Sequence, residues 1–164
     1  MQNMKFNIQL MSQQDADEIV TWQYEPPYAI YSLSREDLPV LLDPDNRYFA
    51  VKDESSQMIG YCCFGSEARV PGGDYHDSEP LVIDLGVGMH PGMVGKGLGT
   101  EFVDAILHYA TGEFSPERFR VSIAAFNERS QRTFLKLGFV ETASFKRVTD
   151  GMRFVQLERE VNWG

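Results

Sequence analysis

A glycine-rich turn between an apolar strand-like run and a helix start is the feature that most constrains this chain of 164 residues. The apolar run covers residues 81–89, and glycines follow at positions 92, 95, 97 and 99. Glycines let an anion approach the bare backbone N–H groups at a helix start, where the helix dipole is positive. The pattern therefore predicts that residues 94–100 bind a phosphate group.

Two common phosphate-binding motifs do not fit the spacing of this turn. A Walker A loop needs Ser or Thr after its Gly-Lys pair, whereas here Gly97 follows Lys96 and leaves no hydroxyl for magnesium. A dinucleotide fingerprint places G-x-G-x-x-G after the first strand of a βαβ unit, and this chain has G-x-G-x-G in its middle. A surface turn without a ligand is the remaining alternative.

The turn resembles motif A of the GNAT superfamily of N-acetyltransferases, V-x-P-x-x-[RQ]-G-x-G-x-[GA]. The residues from Met89 to Gly99 keep its register, with one departure, because Val94 stands where the family usually has Arg or Gln. The resemblance implies that the loop binds the pyrophosphate of acetyl-CoA. The positions that it assigns to the cofactor are Val87, Gly88, Met89, Val94, Gly95, Lys96, Gly97, Leu98, Gly99 and Thr100.

A second segment, residues 127–139, resembles motif B of the same superfamily and argues against a ligand-free turn. Asn127 is a good helix N-cap, Phe134 and Leu137 supply an apolar face, and Gly138 suits the left-handed position that closes a helix. The resemblance gives Asn127 and Ser130 a further role, lining the pantetheine arm and the sulfur end of the cofactor.

The length and composition predict a single domain over residues 1–164. No apolar run approaches the roughly 20 residues that span a bilayer, and the polar start is not a signal peptide, so we expect a cytoplasmic protein. The only cysteines, Cys62 and Cys63, are adjacent and are not expected to form a disulfide. The three histidines are scattered, and we expect no metal site.

The formal net charge of −9 argues against nucleic acid and anionic membranes as partners. A cationic partner such as a protonated amine fits this charge better. Solubility alone explains the acidity equally well.

Hydrophobic periodicity and turn residues predict an α/β order of elements. Strands are expected at 5–10, 47–52, 57–64, 81–89, 118–125, 140–148 and 153–161, and helices at 12–23, 34–42, after the glycine loop as far as Gly112, and in motif B. Residues 24–33 are expected to form an aromatic loop and residues 70–80 a flexible lid.

The resemblance implies a GNAT-like fold for this order. That fold is a mixed, mostly antiparallel sheet of about seven strands with about four flanking helices. In it, the strands at 81–89 and 118–125 form a parallel pair that splays apart. The pantetheine arm then pairs with the freed backbone of Val87, Gly88 and Met89, and we interpret Gly86 and Gly88 as room for this ligand.

In this family a neutral amine attacks the thioester directly, so the resemblance implies a base, a carbonyl polariser and a proton donor. Asp84 is the predicted base, with Glu79 and His90 as alternatives. The backbone N–H of Met89 would polarise the thioester oxygen. Many relatives place a tyrosine as proton donor where this chain has Phe134, so the donor is predicted to be Ser130 or solvent.

The acceptor amine is predicted to meet aromatic side chains, which bind cations through their faces. The candidate acceptor residues are Tyr24, Tyr28, Tyr31, Tyr75 and His76. Packing of a core or lid explains these aromatics equally well. The predicted function is acetyl-CoA-dependent acetylation of a small amine, an amino-acid derivative or a peptide N-terminus, with a homodimer as one option. The alternative is a non-catalytic acyl-CoA-binding sensor.

Overall fold

The computed structural model describes residues 5–75 and 81–161, whose seven strands form one sheet. The strands are β1 (Asn7–Leu10), β2 (Tyr48–Lys52), β3 (Met58–Phe64), β4 (Val82–Met89), β5 (Arg118–Ala124), β6 (Val140–Lys146) and β7 (Arg153–Glu160). Their order across the sheet is β1-β2-β3-β4-β5-β7-β6, and β4 and β5 are its parallel pair. The predicted mixed, mostly antiparallel sheet is confirmed.

Four α-helices flank this sheet in the described part of the chain. They are α1 (Gln13–Ile19), α2 (Leu38–Leu42), α3 (Gly99–Phe114) and α4 (Glu128–Lys136). Ser12 caps α1 as predicted, by accepting a hydrogen bond from the backbone N–H of Asp15. The helix ends at Ile19 rather than Gln23, and the chain then turns to bury Trp22 against Tyr61.

One further prediction of local structure was wrong, namely the end of helix α3. Residues 24–33 form a loop as predicted, with a short 3-10 turn at Tyr28–Tyr31. Helix α3 does not end at Gly112 but continues to Phe114, and Ser115 closes it in the left-handed conformation. A Cβ at Gly112 would meet no neighbouring atom within 4 Å. Glycine lowers the stability of a helix by only about 1 kcal/mol relative to alanine, so the packing of α3 can carry the helix past this position.

The packing that holds α3 is the larger of two hydrophobic cores. Phe102, Ile106 and Ala110 of α3 lie against the sheet together with Phe134 of α4. The smaller core lies under α1 and α2 and is built around Trp22 and Leu41. Leu85 of β4 also belongs to the larger core. Full burial of each large side chain contributes about 1.5–3 kcal/mol, so the larger core holds the elements on both sides of the glycine loop.

The sheet opens between β4 and β5, as predicted. Their parallel pairing runs from Val82 with Arg118 to Leu85 with Val121 and stops there. Beyond that point β4 continues to Met89 paired with β3, while β5 continues to Ala124 paired with β7. The last half of β4 therefore leaves one backbone edge facing a gap in the sheet.

The two glycines of β4 face side chains of the neighbouring strand β3. A Cβ at Gly86 would lie 2.9 Å from the sulfur of Cys63, and one at Gly88 would lie 2.4 Å from the ring of Tyr61. Both neighbours belong to β3 across the strand pair. The glycines make room for these side chains, and both also line the cavity at the gap between β4 and β5, so their role toward a ligand stays a prediction.

Candidate active site

A cavity of about 700 Å³ lies at the gap between β4 and β5. Val121 and Ile123 line it from one face of β5, and Ser122 and Ala124 line it from the other face. Since successive residues of a strand point to opposite faces, the cavity is accessible from both sides of the sheet. It joins the glycine loop before α3 to the aromatic loop between α1 and α2.

One end of the cavity has the features of a phosphate site. Gly95 and Gly97 adopt positive φ angles of 81° and 77°, which favour glycine. A Cβ at Gly97 would meet no atom within 4 Å, so there is open space at this turn. Helix α3 begins at Gly99, and the N–H groups of its first turn have no partners within the helix.

The predicted loop residues divide into two groups. Val94, Gly95, Gly97, Gly99 and Thr100 line the cavity, whereas Lys96 and Leu98 do not. A loop that offers backbone N–H groups and open space fits the pyrophosphate of acetyl-CoA.

The open edge of β4 supplies the next part of the site. The N–H of His90 bonds to Ile59, and the carbonyl of Asp84 bonds to Gly65, so alternate residues of β4 face β3. The backbone groups of Val87 and Met89 therefore face the gap. This edge can pair with an extended pantetheine arm as a strand would.

Tyr24 fixes the end of this edge. Its phenol donates a hydrogen bond to the carbonyl oxygen of Met89 at 2.6 Å. Burial raises the pKa of Tyr24 to about 12, so the phenol stays protonated and keeps donating. The carbonyl of Met89 is thus occupied, and its N–H remains directed into the gap.

Helix α4 forms the opposite wall. Asn127 caps it by accepting from the N–H of Ser130, and its amide donates to the phenol of Tyr31 at 3.3 Å. Asn127 and Ser130 both line the cavity, and their contacts with the cofactor stay a prediction. Phe134 is 1% exposed and packs edge-on against Phe139, so the ring fills the position of the missing tyrosine with apolar packing.

Comparison with known proteins fits this geometry. The family model of the acetyltransferase (GNAT) domain matches residues 4–140 of the chain. The chain belongs to the GNAT acetyltransferase family. GNAT acetyltransferases are N-acetyltransferases that use acetyl-CoA and act on amine acceptors.

Individual relatives agree with this family. The human protein alpha/beta-tubulin-N-acetyltransferase 9 is 40% identical over 76 residues, which span 44% of this chain and 36% of the human protein. A GNAT acetyltransferase structure from Bacillus anthracis has a TM-score of 0.73 at 16% identity and covers 98% of this chain and 97% of its own. An acetyltransferase from Salmonella typhimurium, solved with acetyl-CoA, has a TM-score of 0.67 at 16% identity, covering 98% and 96%. At these identities the structures establish the fold.

In this GNAT domain Asp84 is not free to meet an acceptor amine. It is 3% exposed, and Arg120 donates to both of its oxygens at 2.6 and 3.0 Å. Arg69 donates to one of them as well, at 2.9 Å. Asp84 does not line the cavity. Since two guanidinium groups already occupy the carboxylate, its position argues against the predicted role as base.

The alternatives to Asp84 are placed elsewhere. Glu79 lies outside the described residues. His90 packs on Trp22 with 4.8 Å between ring centroids, and its Nδ1 accepts from the N–H of Gly92. His90 does not line the cavity, so its ring has a structural role in the turn after β4.

Three of the five predicted acceptor residues line the cavity, namely Tyr24, Tyr28 and Tyr31. Tyr75 does not, because its ring lies against the guanidinium groups of Arg69 and Arg120, 5.4 and 4.9 Å from their Cζ atoms. Its phenol shares a hydrogen bond of 2.6 Å with Ser122. His76 lies outside the described residues.

Tyr75 instead pins the first part of the predicted lid. The phenol accepts from the N–H of Val70, and the carbonyl of Pro71 accepts from the N–H of Val148 after β6. The segment from Val70 to Tyr75 is therefore tied to β5 and to the last hairpin.

Several lining residues were not predicted. Arg129, Arg132, Thr133 and Lys136 of α4 lie at helical spacing on one face, a periodicity that was available in the sequence. Glu67 and Arg147 come from the β3–β4 loop and the last hairpin, where no sequence signal marked them.

Two negative findings concern residues 5–75 and 81–161. No group of three or more His, Cys, Asp or Glu side chains could hold a metal ion there. None of the helices in these ranges is long and apolar enough to cross a membrane.

Proposed function

We propose that this enzyme transfers the acetyl group of acetyl-CoA directly to a primary amine within a ternary complex. The observation that carries the proposal is the continuous cavity at the gap in the sheet, lined by the glycine loop on one side and by tyrosines on the other. A continuous cavity lets an amine reach the thioester while the cofactor stays bound.

The absence of a suitable nucleophile supports direct transfer. Among the described residues, no cysteine, histidine or aspartate lines the cavity. Cys62 and Cys63 are buried, and burial raises the pKa of the Cys63 thiol to about 12. Ser130 lines the cavity, but no described side chain there could activate it as the His of a catalytic triad does.

Acetyl-CoA supplies the acetyl group as a thioester when it is bound. The N–H of Met89, directed into the gap, is placed to stabilise negative charge on the carbonyl oxygen. Ser130 and Tyr31 are the two hydroxyls that we propose for protonating the departing thiolate. Burial raises the pKa of Tyr31, so its phenol holds a proton at neutral pH.

Glu67 is our proposed contact for the acceptor amine. Among the described residues it is the one carboxylate that lines the cavity, and it lies in the loop after β3. An ammonium group beside this carboxylate gains charge attraction, and the tyrosines that line the cavity offer it further polar and aromatic contacts. Glu67 is also placed to take up the amine proton, directly or through water.

We propose the α-amino group of a polypeptide as the first acceptor class to test. The support is the human relative, whose name describes acetylation of tubulin, a protein. A small amine or an amino-acid derivative is the second class.

We propose that Asp84 holds two arginine side chains in place and does not accept the proton of the amine. Asp84 accepts hydrogen bonds from Arg69 and Arg120, and both guanidinium groups make cation–π contacts with the ring of Tyr75. Tyr75 in turn ties the β3–β4 loop to Ser122 at the cavity wall. Glu67 lies in the same loop, so this network fixes the element that carries the proposed amine contact.

The test is CoA release with acetyl-CoA and a panel of acceptors. The panel contains peptides with free N-termini, the same peptides with blocked N-termini and one lysine, and small amines. Intersecting lines in double-reciprocal plots support a ternary complex, whereas parallel lines contradict it. Saturable binding of acetyl-CoA without turnover on any acceptor favours the sensor alternative.

A variant pair tests the acceptor contact. Glu67→Gln is expected to lower kcat/KM for the amine about tenfold, because one charge-assisted hydrogen bond is lost. Its affinity for acetyl-CoA should not change. Glu54→Gln, in the turn between β2 and β3, is the control. Equal kinetics of the two variants would exclude Glu67 as the amine contact.

A further inference from the structure

We propose that Arg129 makes the pyrophosphate contact that Val94 cannot make, and that its stacking on Tyr28 couples this contact to the acceptor loop. The inference rests on the cofactor position in the proposed function. It concerns a residue outside the glycine loop, which the sequence motif did not assign to the cofactor.

Position is the first argument. Arg129 lies in the first turn of α4 and lines the cavity. One terminal nitrogen of its guanidinium lies 3.8 Å from where a Cβ of Gly95 would stand. One helical turn later, the hydroxyl oxygen of Thr133 lies 3.3 Å from where a Cβ of Gly99 would stand. This face of α4 therefore runs along the glycine loop.

Charge is the second argument. No carboxylate of the described residues lies within 4.0 Å of Arg129, whereas Arg132 has Glu128 at 3.9 Å and Arg147 has Asp150 at 2.6 Å. Val94 lines the loop with an aliphatic side chain that has no donor. Within the part of the chain that the structure describes, Arg129 is thus a cation without a carboxylate partner, next to a loop that lacks its usual donor.

The third argument is the way in which the guanidinium is held. Its Cζ lies 4.5 Å from the ring centroid of Tyr28. Stacking uses the flat face of a guanidinium and leaves its N–H groups at the edge free to donate. These N–H groups match the geometry of phosphate oxygens, which a guanidinium binds in a bidentate way.

Tyr28 extends the contact to the acceptor side of the cavity. It begins the 3-10 turn that also contains Tyr31, and Tyr31 is bonded to Asn127 of α4. A phosphate that fixes Arg129 therefore also favours one position of Tyr28 and its turn. By linkage, a Tyr28 that is held in place strengthens phosphate binding in return.

The experiment is calorimetric titration of acetyl-CoA, acetyl-dephospho-CoA and S-acetylpantetheine into the full chain. Arg129→Gln is expected to bind acetyl-CoA about tenfold more weakly, the effect of losing one charge-assisted hydrogen bond. Arg129→Lys is expected to bind acetyl-CoA more tightly than Arg129→Gln but less tightly than the wild type, because lysine keeps the charge but not the paired N–H donors of a guanidinium. S-acetylpantetheine, which has no phosphate, binds the wild type and Arg129→Gln equally.

Arg153→Gln is the matched control, because Arg153 is exposed on β7 and does not line the cavity, and it is expected to change the affinity less than twofold. Equal losses in the two glutamine variants would overturn the assignment. A loss that disappears with acetyl-dephospho-CoA would also overturn it, since the contact would then be with the 3′-phosphate.

Tyr28→Leu tests the coupling. It is expected to weaken acetyl-CoA binding severalfold, while Tyr28→Phe keeps wild-type affinity because the ring face is retained. Unchanged affinity in Tyr28→Leu would remove the coupling. Wild-type protein that binds acetyl-CoA and acetylates an amine, with no effect in Arg129→Gln, would reject this inference alone. Failure of the wild type to bind acetyl-CoA would reject the proposed cofactor position and this inference together.

Discussion

Replacing Asp84 by asparagine separates a structural role of this carboxylate from a catalytic one. Arg120 donates to its oxygens at 2.6 and 3.0 Å, and Arg69 donates at 2.9 Å. Asparagine has nearly the same size but no charge. The variant therefore leaves Arg120, whose side chain is 4% exposed, as a buried cation without its partner.

The expected magnitude follows from this burial. Removing one partner of a buried ion pair lowers the free energy of unfolding by about 3–5 kcal/mol. The side chain of Arg69 is 34% exposed, so water screens its attraction to Asp84. We therefore expect the free energy of unfolding to fall by an amount near the lower limit, about 3 kcal/mol. For a chain of this length each kcal/mol lowers Tm by roughly 2–4 °C, which gives a decrease of about 6–12 °C.

The assay is thermal unfolding followed by circular dichroism, with kcat measured well below the Tm of the variant. Asp104→Asn is the control, since its carboxylate is 47% exposed and its removal should change stability by less than about 0.5 kcal/mol. We expect Asp84→Asn to be less stable and its pH profile to keep the wild-type shape. A Tm equal to that of the control, together with loss of the acidic limb of the kcat profile, would refute the reasoning and restore Asp84 as the base.

Two further predictions test the cofactor side of the cavity. Gly97→Glu should abolish acetyl-CoA binding, because it places a carboxylate where the pyrophosphate is proposed to lie. Gly151→Glu is the control for backbone strain, since Gly151 has a similar φ of 75° in a distant turn. Equal acetyl-CoA binding by both variants would contradict the assignment. Tyr24→Phe should lower kcat about tenfold with little change in acetyl-CoA affinity, because the carbonyl of Met89 loses its donor and its peptide is no longer fixed. Since burial raises the pKa of Tyr24 to about 12, its phenol stays protonated in the folded enzyme, and the wild-type rate should show no loss that depends on Tyr24 below about pH 11. A limb near pH 10 that Tyr24→Phe removes would contradict this.

Much of the cofactor side could be predicted from the sequence because it depends on local backbone requirements. The positive φ angles at Gly95 and Gly97 need glycine, and the start of α4 needs a capping side chain such as Asn127. Residues close together in the chain meet these requirements, so a short motif records them.

The role of Asp84 could not be predicted in the same way. An acidic residue in an apolar strand implies either a function or a partner. The partner, Arg120, is 36 positions away and lies opposite Asp84 because β4 and β5 are parallel neighbours. The sequence shows both residues, but only the strand register brings them together.

At Gly86 and Gly88, too, the sequence could not identify the neighbouring groups. Glycine inside a strand predicts a close approach by some group, and that part was correct. The side chains of Tyr61 and Cys63 are two such groups, which the pairing of β3 with β4 places across from the glycines. Both glycines also line the cavity, where the predicted ligand would lie.

The sequence by itself determined the α/β order of elements, the glycines at the positive-φ positions 95 and 97 and the caps of α1 and α4. These properties follow from backbone conformation and from hydrophobic periodicity, which each segment encodes within about 15 residues. Tertiary structure alone decided that Asp84 is paired with arginines, that Tyr75 lies outside the cavity and that Arg129 lies beside Gly95. The physical reason is that charged and aromatic side chains take partners from distant segments, and the packing of the whole sheet and its helices determines which segments meet.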